Sequence, residues 1–466
     1  MAPIEVIETE AANKPMVDAD WPTMKQRFQQ FTSPGTASEI LRSCLPELAS
    51  TSRGISDCTI QDARLKTFMK SSSRVKSTLS ACYQLTVQEP STSQDSQRLV
   101  YLKAYLNGRS AEVFRCLGHD RHAEQALDQA VTHVPKYDAV IWRFPHDPVL
   151  PHLSQLINLQ AVGEHLPSEG LSRIGMSGTP HVTASHVVNY RPEIRCTNRY
   201  DLYDSIQNRS YQMFGKTFRQ NEGRSLCARL QYFWDRSRHD SDAMTVAQPL
   251  GYSASANTVW QLGVPGRPLL QILNPSNSDQ YIAELARGLA SLHTSHVVGL
   301  LTHQPVEHIA EVGKKLAKLS DAVPSLAKTC MAMADDLEQT APQASTIPSC
   351  PIHWDFHIQQ LLAHQGQLVF CDLDELVLGD PVQDLANFIV DLHFRGLDRQ
   401  FVRDLATRLY QAYRQQVEWD VPIERLTWHT RLQFINKAYR HYVRFAPGFE
   451  GTVEEIIRWA GRGFSL

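Results

Sequence analysis

The chain has 466 residues with 46 Lys and Arg against 49 Asp and Glu, a formal net charge of −3, with 42% hydrophobic and 20% charged residues. At roughly 150 residues per domain that is about three units with an ordinary globular balance, which excludes a stapled mini-protein, a disordered chain and a generic basic nucleic-acid binder. No apolar run approaches the about 18 residues of a membrane helix, so a soluble protein with no membrane partner is expected. Nine cysteines spread from Cys44 to Cys371 without a C-x-x-C pair point to reduced thiols rather than a zinc ribbon or a disulfide framework. A Walker loop and a G-x-G-x-x-G are both absent, so P-loop and dinucleotide-binding enzymes lack their phosphate cradle.

The N-terminus MAPIEVIETEAANKP carries Glu5, Glu8 and Glu10 and no basic residue before Lys14, the wrong charge for a secretory or transit signal. A mobile tail over residues 1–35 and a cytoplasmic protein are expected. Next, STLSACYQLTV and RLVYLKAYL alternate on either side of the loop EPSTSQDSQ, as two antiparallel strands do, and a helical stretch follows around Glu112–Val131. These make an N-terminal α+β unit over residues 36–160. The pattern returns over residues 161–275, where HVVNYRPEIRCTNRYDLY and RSYQMFGKTFRQ read as a strand pair and EGRSLCARLQYFWD as the helix behind it. Lys103 lies 39 residues before Trp142, and Lys216 lies 44 before Trp260. Either the unit is a degenerate duplication or two unrelated strand–strand–helix units share the pattern.

After Pro275 the spacing of apolar residues turns helical, and residues 276–466 form a helical lobe interrupted by one hairpin, QLLAH–Gln365-Gly366–QLVFC. Around that hairpin the segment IHWDFHIQQLLAHQGQLVFCDLDELVLGDPVQDLANFI concentrates His353, Asp355, His357, Gln360, Asp372, Asp374, Glu375, Asp380 and Asp384. A turn presents Asp355, Gln360 opens the outgoing strand, and the returning strand delivers Asp372, so three oxygen-bearing side chains converge. Hard oxygen ligands of this kind suit Mg²⁺, held by one or two carboxylates together with substrate phosphates. An uncoordinated Asp355 beside such an ion is placed to accept the proton of an attacking hydroxyl.

In these residues the sequence resembles the aminoglycoside phosphotransferase and choline kinase family, whose catalytic pattern is H-G-D-x-H-x-x-N, a hairpin, I-D-(W/F)-(E/D), then G-D-P and D-L-A. Here the pattern reads His353-Trp354-Asp355-Phe356-His357-Ile358-Gln359-Gln360, Cys371-Asp372-Leu373-Asp374, Gly379-Asp380-Pro381 and Asp384-Leu385-Ala386. The resemblance extends to Leu292-His293 and to Val264-Pro265-Gly266-Arg267-Pro268-Leu269, covering roughly residues 183–400. It implies a bilobal protein-kinase-like fold with an antiparallel-sheet N-lobe and a helical C-lobe, and an ATP- and Mg²⁺-dependent phosphotransferase acting on a hydroxyl of a small molecule. Carried over by position, Asp355 is the catalytic base, Gln360 and Asp372 hold Mg²⁺ with Asp374 assisting, and Asp384 braces the loop. Lys216 grips the nucleotide phosphates, with Lys103 as the alternative lysine.

The sequence departs from the family at three places. Gln360 stands for the usual Asn, as in maltokinase-like relatives. The helix after Lys216 has no Glu between Arg224 and Asp235 to orient the lysine, and neither EPSTSQDSQ nor DSIQN offers glycines to cradle phosphates. A weak or inactive kinase serving as a binding module therefore stays open as the second reading. Residues 391–466 hold 12 Lys and Arg against 9 Asp and Glu, so no acidic trap for a polycationic acceptor is evident. Arg431, Arg440 and Arg444 on one helix face either solvent or an anionic acceptor. Acceptor identity, nucleotide preference and oligomeric state are not specified by the sequence.

Overall fold

The computed structural model describes residues 20–45, 48, 55–70, 74–88, 95–117, 130–303, 305–343, 348–444 and 448–462. The chain divides into two units, Met1–Pro148 and Val149–Leu466. That division precedes the expected one at residue 160, because the segment after Pro148 packs into the second unit, where Tyr200 Oη donates to the Leu156 carbonyl at 3.0 Å.

In the first unit, helices α1 (Asp20–Thr32) and α2 (Pro34–Cys44) precede strands β1 (Ile55–Lys70), β2 (Arg74–Gln88) and β3 (Asp95–Ala104). Helix α3 (Arg109–Leu117) follows, then β4 (Val131–Val134) and β5 (Ala139–Arg143). The sheet is antiparallel in the order β1-β2-β3-β5-β4. Part of the expected tail is helix α1. Phe28 and Phe31, three residues apart on one helical face, are buried, and Tyr83 Oη donates to the Phe31 carbonyl at 2.9 Å. Residues 1–19 lie outside the described residues. The expected pair of strands is β2 and β3. The expected helix to Val131 ends its described part at Leu117, and Val131 opens a strand; residues 118–129 between them lie outside the described residues.

The second unit begins its main sheet with β6 (His181–Arg191), β7 (Arg195–Asp204) and β8 (Arg209–Phe218). Helix α4 (Glu222–His239) comes next, followed by β9 (Thr245–Val246), β10 (Pro249–Ser253) and β11 (Thr258–Leu262), giving the order β10-β11-β8-β7-β6. The run HVVNYRPEIRCTNRYDLY is therefore two strands and not one. Pro192 has no N–H to give a ladder, Glu193 turns at φ 61°, and the Ile194 N–H closes on the Arg191 carbonyl at 3.0 Å.

Counting only each sheet's own strands in chain order, both sheets run first, second, third, fifth, fourth, with a helix after the third. Lys103 on β3 faces Val140, and Lys216 on β8 faces Val259. The tryptophans do not correspond, since Trp142 pairs with Tyr101, two residues before Lys103, whereas Trp260 pairs with Gly215, one before Lys216. Cross-strand partners share a face and neighbours alternate, so Trp142 lies on the face of Lys103 and Trp260 on the face opposite Lys216. A Cβ on Gly215 would stand 2.7 Å from the Trp260 ring, which is why this strand carries glycine there.

The helical part of the second unit comprises α5 (Ser278–His293), α6 (Pro305–Ala322), α7 (Ala327–Gln339), α8 (Val382–Leu392), α9 (Arg399–Arg414), α10 (Ile423–Arg444) and α11 (Phe449–Arg462). Between α7 and α8 run β13 (Cys350–Ile352), the hairpin β14 (Leu361–His364) and β15 (Gln367–Phe370), and β16 (Val377–Gly379). β13 pairs with β16, while the hairpin joins β12 (Arg267–Pro268) and β9 in a four-stranded sheet. One core links Leu226, Leu230 and Phe233 of α4 to Phe356, Phe370 and Leu385, so the α+β architecture expected from the sequence, sheet first and helices after, closes over the acid-rich segment.

Candidate functional site

The segment from His353 to Gln360 leaves β13 and enters the hairpin, and one buried carboxylate shapes it. Asp384, in the first turn of α8, accepts the backbone N–H groups of His353 at 2.6 Å and Trp354 at 3.0 Å. His293 Nε2 lies 3.2 Å from the same carboxylate, and its Nδ1 is 2.7 Å from Tyr413 Oη. Trp354 sits at φ 74°, a left-handed conformation costing a non-glycine residue about 1–2 kcal/mol. It is held there by the Asp384 bond, by Asn387 Nδ2 donating to its carbonyl at 2.6 Å, and by its ring 4.1 Å from that of His303. The loop so fixed presents Asp355, 39% exposed, with Arg440 Nη2 3.1 Å from its Oδ1.

Gln360 is buried, and its Oε1 accepts the His357 N–H at 3.0 Å while its own carbonyl accepts the Cys371 N–H at 2.9 Å. The hairpin register, Leu361 opposite Phe370, thus brings Gln360 against the residue before Asp372. Asp372 turns at φ 63° and meets Lys216 Nζ at 2.5 Å, which also lies 2.5 Å from Asp374 Oδ2. A second cation joins them, with Arg195 Nη1 at 2.6 Å from Asp374 Oδ2 and Nη2 at 3.6 Å from Asp372 Oδ2. Register explains the convergence. Arg195 faces Phe218 and Thr197 faces Lys216 across β7 and β8, so both cations project from one face of the sheet.

Burial pushes the Asp372 carboxyl up, but Lys216 and then Arg195 hold it well below the usual carboxylate range. Asp374 goes the other way, raised by burial and by the charge of Asp372 against the pull of Lys216. Glu375 is likewise raised by burial and then by Asp355. The two cations thus favour the charged form of Asp372 more than that of Asp374.

The structure places Lys216 against Asp372, while Lys103 lies on a strand of the other unit, its Nζ 5.9 Å from the Tyr105 ring centre. Lys216 needs no helix glutamate, because the two aspartates orient it. Glu222 at the start of α4 pairs with Arg219 at 3.7 Å instead. Asp372 and Asp374 are hard-oxygen carboxylates of the kind Mg²⁺ takes, and the Gln360 side-chain oxygen, which accepts the His357 N–H, keeps a second lone pair. Arg195 is the residue that sequence reasoning missed. Its signal was Pro192 interrupting an alternating run, which marks a hairpin tip at Arg191–Arg195 in place of a glycine-rich turn.

Further along, Asp380 of the Gly379-Asp380-Pro381 turn is buried with Arg425, whose Nε lies at 2.7 Å, and with His429, whose Nε2 lies at 2.7 Å, both on α10. Beyond Asp355 opens a small recess whose lining includes Asn387, Asp391, Gln433, Asn436, Lys437 and Arg440. Trp428 stands apart from that lining, buried with its Nε1 donating to the Leu337 carbonyl at 2.9 Å.

Residues 235–421 match the model of the phosphotransferase enzyme family, which meets the resemblance read from the catalytic segment. No curated protein matches the chain. Among solved structures, the chain is similar to an amicoumacin kinase in complex with AMP-PNP and Ca²⁺, at 14% identity and TM-score 0.43 over 59% of this chain and 88% of that one. It is similar to the GDP complex of an aminoglycoside 2′-phosphotransferase, at 14% identity and TM-score 0.43 over 63% and 97%. A choline/ethanolamine kinase family protein from Mesorhizobium loti follows at 13% identity and TM-score 0.40 over 64% and 92%.

Proposed function

We propose that residues 149–466 transfer the γ-phosphoryl group of ATP to a hydroxyl of a small molecule. The observation that carries this reading is the convergence of Lys216 and Arg195 on Asp372 and Asp374, one hairpin away from the braced loop that presents Asp355. Asp355 accepts the proton as the acceptor oxygen forms its bond to the γ-phosphorus and the bond to the β-phosphate oxygen breaks, releasing ADP. Lys216 neutralises the nucleotide phosphates, and Arg195 does so from the hairpin tip where glycines would otherwise supply backbone N–H groups. Asp384 keeps the loop in the conformation that aims Asp355. Gln360, Asp372 and Asp374 are the residues to hold Mg²⁺, which when bound neutralises charge on the β- and γ-phosphates.

The second reading, a binding module without transfer, is favoured by the glycine-free turn at Arg191–Arg195 and opposed by the intact Asp355 and Asp372. Calorimetry of ATP and GTP with and without Mg²⁺, on wild type and Asp372→Ala, separates them. Mg²⁺-dependent binding lost in Asp372→Ala supports the kinase site, and no binding in wild type supports the module. For residues 36–160 we propose a degenerate copy of the N-lobe, supported by the shared strand order and by the two lysines facing valines. A cytoplasmic protein, where ATP and Mg²⁺ are at hand, accords with this chemistry; among the described residues no helix is long and apolar enough to cross a membrane.

A further inference from the structure

The recess beyond Asp355 has a charge arrangement that bears on which acceptors fit, an argument that rests on the kinase reading above. Its lining carries two carboxylates, Asp355 and Asp391, and two cations, Lys437 and Arg440. Asp391 is already engaged, since Arg395 donates Nε to Oδ2 at 2.8 Å and Nη2 to Oδ1 at 2.8 Å, and Lys437 Nζ adds a third bond at 2.8 Å. A third cation stands close behind, Lys315 of α6 donating to Asn436 Oδ1 at 2.8 Å. Asp355 is thus the lining carboxylate that remains for chemistry, and it is paired with Arg440.

A base bound to a guanidinium must be released before it can take a proton. A cationic acceptor would enter beside Arg440 and Lys315, with Lys437 and Arg395 already offset by Asp391, and a neutral one offers Arg440 no opposite charge in exchange for Asp355. An anionic group offers Arg440, which is 54% exposed, a replacement partner of the same charge as Asp355, freeing that carboxylate for the hydroxyl. We propose that the acceptor bears an anionic group, a carboxylate or a phosphate, near the hydroxyl that is phosphorylated, and that Arg440 and Lys437 hold that group.

The test uses the full chain with gluconate, glucose 1-phosphate, glucose, choline and kanamycin as probes. Binding of each probe is read by calorimetry, ADP release and product mass are read with Mg²⁺ and ATP, and Mg²⁺–ATP binding is read separately. Gluconate or glucose 1-phosphate is expected to bind and be phosphorylated in preference to the other three, and which of the two responds tells carboxylate from phosphate. Arg440→Gln is expected to weaken that binding by about 10- to 100-fold, the range for a hydrogen bond to a charged group, while Arg444→Gln, exposed on the same helix, leaves it unchanged. Preference for glucose, choline or kanamycin overturns the proposal, as does binding of neither anion or anion binding that is indifferent to Arg440→Gln. Absence of Mg²⁺–ATP binding overturns the kinase reading instead, and anion binding still decides the character of the recess.

Discussion

Two sheets in this chain share a strand order, and each sets a lysine of its third strand opposite a valine of its fifth. In the second unit that lysine meets Asp372 and Asp374, carried by a hairpin more than a hundred residues later in sequence. The first unit closes at Pro148, after its fifth strand, and among its described residues there is no such hairpin. The tryptophans add a second difference, because a shift of one residue moves Trp260 to the face away from Lys216 and leaves Trp142 on the face of Lys103. The face of Lys216 is thereby kept for Arg195, Thr197 and Phe218, whereas Trp142 stacks on Tyr101 with ring centres 5.5 Å apart. One plan yields a charged cleft surface in one unit and a packed aromatic surface in the other, so topology alone assigns neither function.

The sharpest way to break the contrast is Asp355→Asn. If the chemistry resides in the second unit, transfer in single-turnover assays falls by about 10²- to 10⁴-fold, the usual share of a general base, while nucleotide binding persists. Undiminished transfer would remove Asp355 from its role. Next in size is a matched pair of lysine variants. Lys216→Ala is expected to weaken Mg²⁺–ATP binding by about 10- to 100-fold and Lys103→Ala by less than about twofold; equal losses would erase the distinction between the sheets.

The packing difference has its own test. Gly215→Ala puts a methyl against the Trp260 ring and should cost about 1–3 kcal/mol in chemical denaturation, whereas a Tm unchanged from wild type would mean that the ring is free to move. Comparable in size is an acid effect in the second unit. His308, behind Trp354, is pushed down to about 3 from its ordinary 6.5 by burial and then by the charges of His429, His303 and Lys315. Its neutral form is the folded one, so the stability is full above pH 6.5 and declines as pH falls toward 3, by about 2 kcal/mol at pH 5. Thermal melts of wild type between pH 7 and 5 should show this loss, and His308→Gln should flatten it in part, because burial shifts His357 and His393 in the same direction.

The catalytic segment was legible because its residues lie close in sequence, on a loop and a hairpin whose register follows from local spacing. Asp384 could be read as a brace for the same reason. Arg195 was not legible, since its contact with Asp374 spans 179 positions and depends on a turn marked by one proline and a glutamate at positive φ. Helix α1 was mistaken for tail because, among its described side chains, only Phe28 and Phe31 mark a buried face, too few for a periodic signal. The pairing of Arg440 with Asp355 needed the fold, because helix periodicity alone leaves an arginine facing either solvent or substrate.

The buried bond of Asp380 to Arg425 and His429 bears on how such a protein would change its acceptor over time. It ties the segment following Asp372 and Asp374 to the helix that lines the recess, and severing one partner of a buried ion pair costs about 3–5 kcal/mol. The helix is in effect a fixed rail. New preferences would arise by exchanging side chains such as Lys437 and Arg440 along it rather than by sliding it, and each exchange would leave the phosphate side of the cleft in register.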